Sequence, residues 1–226
     1  MNFNTMWGAP APGGIPTKKD FTKREWEIVQ SHRTPARVQQ FLRTIPYNRE
    51  LDGETCHSFR RLMQENRAHC LEGALAAAVI LEQHGYPPIL VSIESQDKLD
   101  HVLLLFKSKG GIGSVARSRD IGLHGRKPVF RTVRDLVMSY FEPYIDKTGR
   151  LTGYAVANLY ELGIYDWRFS MRNVRKVERY LQEIPHTPVH SSDARYEKAR
   201  RRYFEFHRRH PDRSPDYFAN RGQWLA

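Results

Sequence analysis

Cysteine is scarce in this chain: its 226 residues include two, Cys56 and Cys70. Two thiols cannot staple a disulfide scaffold, and unpaired thiols suit a reducing compartment. Long apolar runs are lacking too. None reaches the ~20 residues that span a bilayer, and residues 1–20 lack the apolar centre of a secretory signal. The expectation is a soluble, cytoplasmic protein with no membrane association. Internal repeats are absent. Wholesale disorder is excluded, because 40% hydrophobic and 12% aromatic residues can build a real core.

Acidic residues are outnumbered, 25 against 36 Lys and Arg, for a net charge of +11. The excess is uneven. Residues 168–226 hold 14 Lys/Arg against 7 Asp/Glu, which is +7 of the +11. A basic end can meet nucleic acid or an acidic partner, and residues 196–209 interleave aromatics with arginine as nucleic-acid surfaces do. A solvated face explains the charge more simply, and Tyr203 and Phe206 at helical spacing fit a terminal helix docked on its own domain.

What the chain does have is one nearly unbroken apolar stretch, residues 71–81, opening on Cys70. Its alanines favour helix, and Gly85-Tyr-Pro-Pro supplies a stop. At ~1.5 Å per residue the run is roughly 22 Å long, enough to cross a small domain as a buried central helix. Cys70 then sits at the helix N-terminus, where free N–H groups and the dipole stabilise a thiolate.

Around this helix the pattern predicts three parts. Residues 1–20, rich in Pro and Gly, read as a flexible lead-in. Residues 21–165 read as an α+β domain. Helices are expected near Thr22, from Thr34-Pro35, and over residues 55–65. Strands are expected over 89–93, 101–106 and 112–117, then a basic loop 123–131, a helix capped by Thr132, and a strand over 152–159. Residues 166–226 read as a basic helical extension, with helices over 170–184 and 192–210.

Cys70, His101 at a strand start, and Asp120 past the next strand are ordered as a cysteine–histidine–acid site. A thiol becomes a strong nucleophile when an imidazole takes its proton and an acceptor holds that imidazole in one tautomer. If Lys107 pairs with Ile112 across the hairpin, Ser118 falls opposite His101 and Asp120 is a diagonal neighbour. A slip of one residue puts Arg117 there instead.

Ala68-His-Cys-Leu-Glu-Gly-Ala-Leu, His84-Gly-Tyr-Pro-Pro, Asp100-His-Val-Leu and Gly113-Ser-Val-Ala-Arg-Ser-Arg-Asp resemble the transglutaminase-like superfamily, specifically its small bacterial cysteine-hydrolase members with a papain-like core. The likeness covers residues 34–141. It implies a buried helix packed on an antiparallel sheet, with Cys70 as nucleophile, His101 as general base and acid, and Asp120 as its orienter. The family's acid position on the third strand falls here on Ala116, so Asp120 must reach back from beyond the strand, or Ser118 or no side chain orients His101. Gln64, six residues before Cys70, resembles the oxyanion glutamine of papain-like proteases, and the Cys70 N–H is the other donor.

The reading is a cysteine hydrolase or acyltransferase acting on a peptide or carboxamide carbonyl through a thioester, with a peptide or protein substrate and no cofactor. Its alternatives are an inactive scaffold of the same fold, or nucleic-acid binding through the basic end. A zinc site at Cys56-His57 and His69-Cys70 is set aside, because adjacent residues on a helix point to different sides. His32, His124, His186, His190 and His207 read as loop or surface histidines. Arg117, Arg119, Arg126 and Lys127 read as a solvated loop beside the cleft, or as selectors of an acidic substrate.

Overall fold

The computed structural model describes residues 13–218 and 221–226. Helices start where the sequence supplies caps. At α1 (Lys23–Ser31), the Thr22 hydroxyl accepts from the Glu25 N–H, and the Glu25 carboxylate accepts from the Thr22 N–H at 2.7 Å. Thr34 caps α2 (Pro35–Thr44), with Pro35 in its first turn, and Val38 and Leu42 face inward. Residues 55–58 are not helical, so α3 is short (Phe59–Glu65) and ends at Asn66 in the left-handed region, φ 53°.

That turn delivers the chain to α4 (Cys70–Glu82), in which every residue from Leu71 on is buried. Alanine and glycine let neighbours come close. A Cβ on Gly73 would lie 2.5 Å from the Arg117 Cβ. The absence of a polar face is explained by position: α4 packs on the sheet and is surrounded by α1, α2 and α3.

The sheet has six strands in the order β4-β3-β2-β1-β5-β6, each pair antiparallel. The strands are β1 (Ile89–Ser95), β2 (His101–Ser108), β3 (Gly111–Val115), β4 (Arg126–Phe130), β5 (Leu151–Asn158) and β6 (Thr187–Pro188). Lys107 pairs with Ile112, the expected register. Alternate side chains of β1 and β2 serve two cores. Leu90, Val102, Leu104 and Phe106 join the core around α4. Val91, Ile93, Leu103 and Leu105 meet α5 (Val133–Met138) and Tyr140 on the other face. Burial on both faces is why residues 102–106 of β2 are all apolar.

Two stretches differ from the expectation. Residues 126–130, expected in a basic loop, are strand β4: Arg126 and Phe130 point in while Lys127 and Val129 point out. An edge strand tolerates Pro128 and charge, the residues that make it read as a loop. The C-terminal extension, expected as helical, also contributes a strand and packs on both cores. α6 (Arg175–Glu183) buries Val177 and Leu181 in the first core, β6 extends the sheet, and α7 (Asp193–Arg209) buries Tyr196 in the second. Arg168 forks onto Glu82 of α4 at 2.6 and 2.8 Å, and α8 (Arg221–Trp224) lies along β4. Within the lead-in, Lys18–Asp20 form a 3₁₀ turn, and residues 1–12 lie outside the described residues. Among the described residues no helix is long and apolar enough to cross a membrane.

Candidate active site

Cys70 is the first residue of α4, so its N–H has no partner inside the helix. The thiol is partly exposed and lines a cleft of about 870 Å³, with its sulfur 3.9 Å from the Asp100 carbonyl oxygen. Two imidazoles reach it. Burial pushes the thiol up, but His101 and His69 outweigh burial and bring it down from the usual 9.0 to about 5. At neutral pH it is a thiolate.

His101 opens β2 and is buried at 4% exposure. Its Nε2 lies 2.8 Å from the Leu123 carbonyl oxygen. A carbonyl only accepts, so Nε2 carries the hydrogen and Nδ1 is left to exchange a proton with the sulfur. The orienter behind the histidine is therefore a main-chain oxygen. Asp120 lines the same cleft but starts the short turn Ile121–Leu123, and its carboxylate accepts from Arg119 at 3.1 Å and Ser214 at 3.2 Å. The bond to His101 Nε2 thus comes from the Leu123 carbonyl, and the Asp120 carboxylate bonds elsewhere.

The loop that presents Leu123 is tied at several points. The buried Gln39 amide bonds the Ala116 N–H and C=O, both at 2.9 Å, and accepts from Gly125 N–H at 3.1 Å. His124, buried rather than on the surface, donates from Nε2 to the Ser118 carbonyl at 3.0 Å. Arg126, 1% exposed, donates to the His124 and Gly122 carbonyls at 2.7 and 2.8 Å. Phe218 covers Gly122 so closely that a Cβ there would be 2.5 Å from its ring. Of the four cations expected beside the cleft, Arg117 and Arg126 are buried in structural bonds and only Arg119 lines it. The cleft is lined by eight Asp and Glu against four Lys and Arg, so its lining is acidic on a chain of +11.

His69, the N-cap of α4, faces the other side of the thiol. Its Nε2 lies 3.2 Å from the Thr55 carbonyl, 3.5 Å from Glu72 and 3.9 Å from Glu50. Burial would pull His69 down, yet the Cys70 thiolate and these carboxylates raise it to about 9. Glu72 has no exposed surface and accepts from the His69 N–H at 2.9 Å, the His57 N–H at 2.9 Å, the Thr55 hydroxyl at 2.7 Å and the Asn48 amide at 3.2 Å. Burial pushes the Glu72 carboxyl up, and the His69 charge with those bonds brings it below its ordinary value.

Gln64 is exposed on α3 and does not line the cleft, so the expected oxyanion donor is not brought to the sulfur. Cys56 is fully buried, and burial pushes its thiol up to about 12. Among the described residues no three His, Cys, Asp or Glu converge as metal ligands. Sequence reasoning passed over His69 and Glu72, although a histidine followed three residues later by glutamate at a helix start is a capping pattern. The Leu123 carbonyl carries no sequence signal at all. No protein-family model matches the chain, and no curated protein matches it.

Proposed function

We propose that the protein is a cysteine hydrolase or acyltransferase that acts on a peptide or carboxamide carbonyl, with the transglutaminase-like, papain-like design its motifs resemble. The observation that carries this reading is a thiol held at about 5, at a helix start, between two imidazoles and open to a large cleft. Low-pKa, partly exposed thiols are the reactive kind, whereas structural cysteines are sealed and inert, as Cys56 is.

The chemistry runs in two halves. The Cys70 thiolate adds to the carbonyl carbon, and the π pair moves onto oxygen, where the Cys70 N–H donates to it. As the carbonyl re-forms, the C–N bond breaks and the imidazolium of His101 gives its proton to the departing amine. A thioester remains. Water, or an acceptor amine, then adds to it while His101 takes one of its protons, and the C–S bond breaks to return the thiolate. The Leu123 carbonyl keeps His101 in the orientation both transfers need. An acidic cleft favours cationic substrates and approaching amines.

An electrophilic thiol probe at neutral pH tests this. The native chain and Cys56→Ala label rapidly at Cys70, and Cys70→Ala loses the label. Slow and equal labelling of both thiols ends the proposal. The basic face of α7, with Arg201, Arg208 and Arg209 exposed, favours nucleic-acid binding as a second reading. It requires an affinity for single-stranded nucleic acid that falls steeply with salt, and a flat salt response removes it.

A further inference from the structure

We propose that Glu72 is a positioning residue that holds His69 against Cys70 as a fixed cation, so that stabilising the thiolate and moving the proton belong to different histidines. The inference rests on the reading of Cys70 as the nucleophile. It assigns His69 the first task and leaves the second to His101.

The argument begins with Glu72. A carboxylate with no exposed surface needs hydrogen bonds and a nearby positive charge. Its bonds come from two main-chain N–H groups, a hydroxyl and an amide, all of them neutral. Among the described residues no Lys or Arg pairs with it. Its ionic neighbours are His57, 3.1 Å away, and His69, at 3.5 Å. His57 is sealed, and burial lowers its affinity for a proton. The countercharge therefore falls to His69, which also faces Glu50 and the Thr55 carbonyl.

Local structure makes the arrangement rigid. His69 and Glu72 are an N-cap and the third residue of its helix, so they share a face, and the bond from the His69 N–H to Glu72 fixes both. The other groups that face Cys70 are His101 and the phenols of Tyr47 and Tyr144, both of which burial pushes up and keeps neutral. A thiolate paired with His101 alone would lose its countercharge each time His101 gave up a proton. A cation that does not take part in the transfer keeps the sulfur ionised through the cycle.

The test uses the full chain carrying Cys56→Ala, iodoacetamide as the probe, and alkylation rates from pH 4 to 10, with circular dichroism confirming the fold. The rate of the parent rises with a midpoint of about 5. Glu72→Gln, which keeps the shape and one acceptor oxygen, moves the midpoint up by at least one pH unit, about a fivefold loss of thiolate at pH 5. His69→Gln does the same, and adding Glu72→Gln to His69→Gln moves it no further. An unchanged midpoint in Glu72→Gln, or an equal second shift in the His69→Gln background, overturns the inference. A parent midpoint at the ordinary 9.0 overturns the nucleophile reading itself. Should Glu72→Gln fail to fold, the imidazole carbon resonances of His69 in the parent decide: they stay in the charged form through pH 8, and a neutral ring at pH 7 refutes the proposal.

Discussion

Arg126→Met asks whether the loop behind His101 is built to hold one carbonyl in place. Arg126 is 1% exposed, and among the described residues no carboxylate pairs with it; burial lowers its pKa accordingly. Its guanidinium serves oxygen atoms instead: the His124 and Gly122 carbonyls at 2.7 and 2.8 Å, the Ser139 hydroxyl at 2.9 Å and the Ser139 carbonyl at 3.3 Å. It also lies 3.8 Å over the Tyr140 ring. Gly122 and His124 flank Leu123, so three consecutive carbonyls are aimed by one arginine and one histidine.

Methionine fills much of the same volume and removes every donor. Leaving the Gly122 carbonyl unpaired costs about 1–3 kcal/mol. The His124 carbonyl keeps the Tyr140 hydroxyl at 3.1 Å. Against this loss, an unpaired buried charge is no longer desolvated, which returns a few kcal/mol. Global stability should therefore change by only about 1–2 kcal/mol, or ~2–8 °C in melting temperature for a chain of this size. The local effect differs. Once the loop is released, the Leu123 bond to His101 weakens by ~1 kcal/mol, about a factor of five to ten in any step that needs an oriented His101. The assay pairs a melt with proton NMR of the His101 Nε2–H, which is solvent-protected in the parent and exchange-broadened in Arg126→Met, while iodoacetamide still labels Cys70. An unchanged Nε2–H resonance at an unchanged melting temperature would refute the reasoning. A loss of labelling that tracks unfolding would reduce Arg126 to a core residue.

Two further outcomes follow from other atoms. His124 is pulled down from 6.5 to about 4, chiefly by burial, so the native chain keeps it neutral where the unfolded chain takes a proton. Stability should be full above pH 6.5, fall by up to ~3 kcal/mol as the pH drops to about 4, and then level off. Urea unfolding across that range should be flatter in His124→Gln, and parallel curves would exclude the assignment. Gly73→Ala places a methyl 2.5 Å from the Arg117 Cβ, and both lie on backbone that cannot yield cheaply. The clash costs about 1–3 kcal/mol against roughly 1 gained in helix propensity, so the melting temperature should fall by a few degrees and Cys70 labelling should slow. A higher melting temperature would contradict the packing.

The parts of the fold governed by local chemistry were legible in the chain. Thr34-Pro35 starts α2, Thr132 caps α5, the alanine run is the buried α4, and the Lys107–Ile112 register follows from the turn between them. What escaped depends on partners distant in sequence. β4 was hidden because Lys127 and Pro128 carry a loop's composition, and only its place at a sheet edge makes them acceptable. His124 looked like a surface histidine because its burial comes from the elements folded over it, among them Tyr140, whose hydroxyl bonds the His124 carbonyl.

Asp120 shows most clearly where extrapolation along a strand stops. Counting the β2–β3 ladder onward brings Asp120 beside His101, but the paired ladder ends at Val115. There the Gln39 side chain, 77 residues away, takes both main-chain groups of Ala116 and turns the chain out of the sheet. The turn carries Asp120 outward to Arg119 and Ser214, and brings the Leu123 carbonyl to His101 in its place. Orienting an imidazole requires a lone pair in the right position, not a carboxylate. A main-chain oxygen supplies one whatever residue stands at 123, so the sequence carries no signal for it. The negative charge that an acid would have added is present on the other side of the sulfur, in Glu72, where it acts through His69.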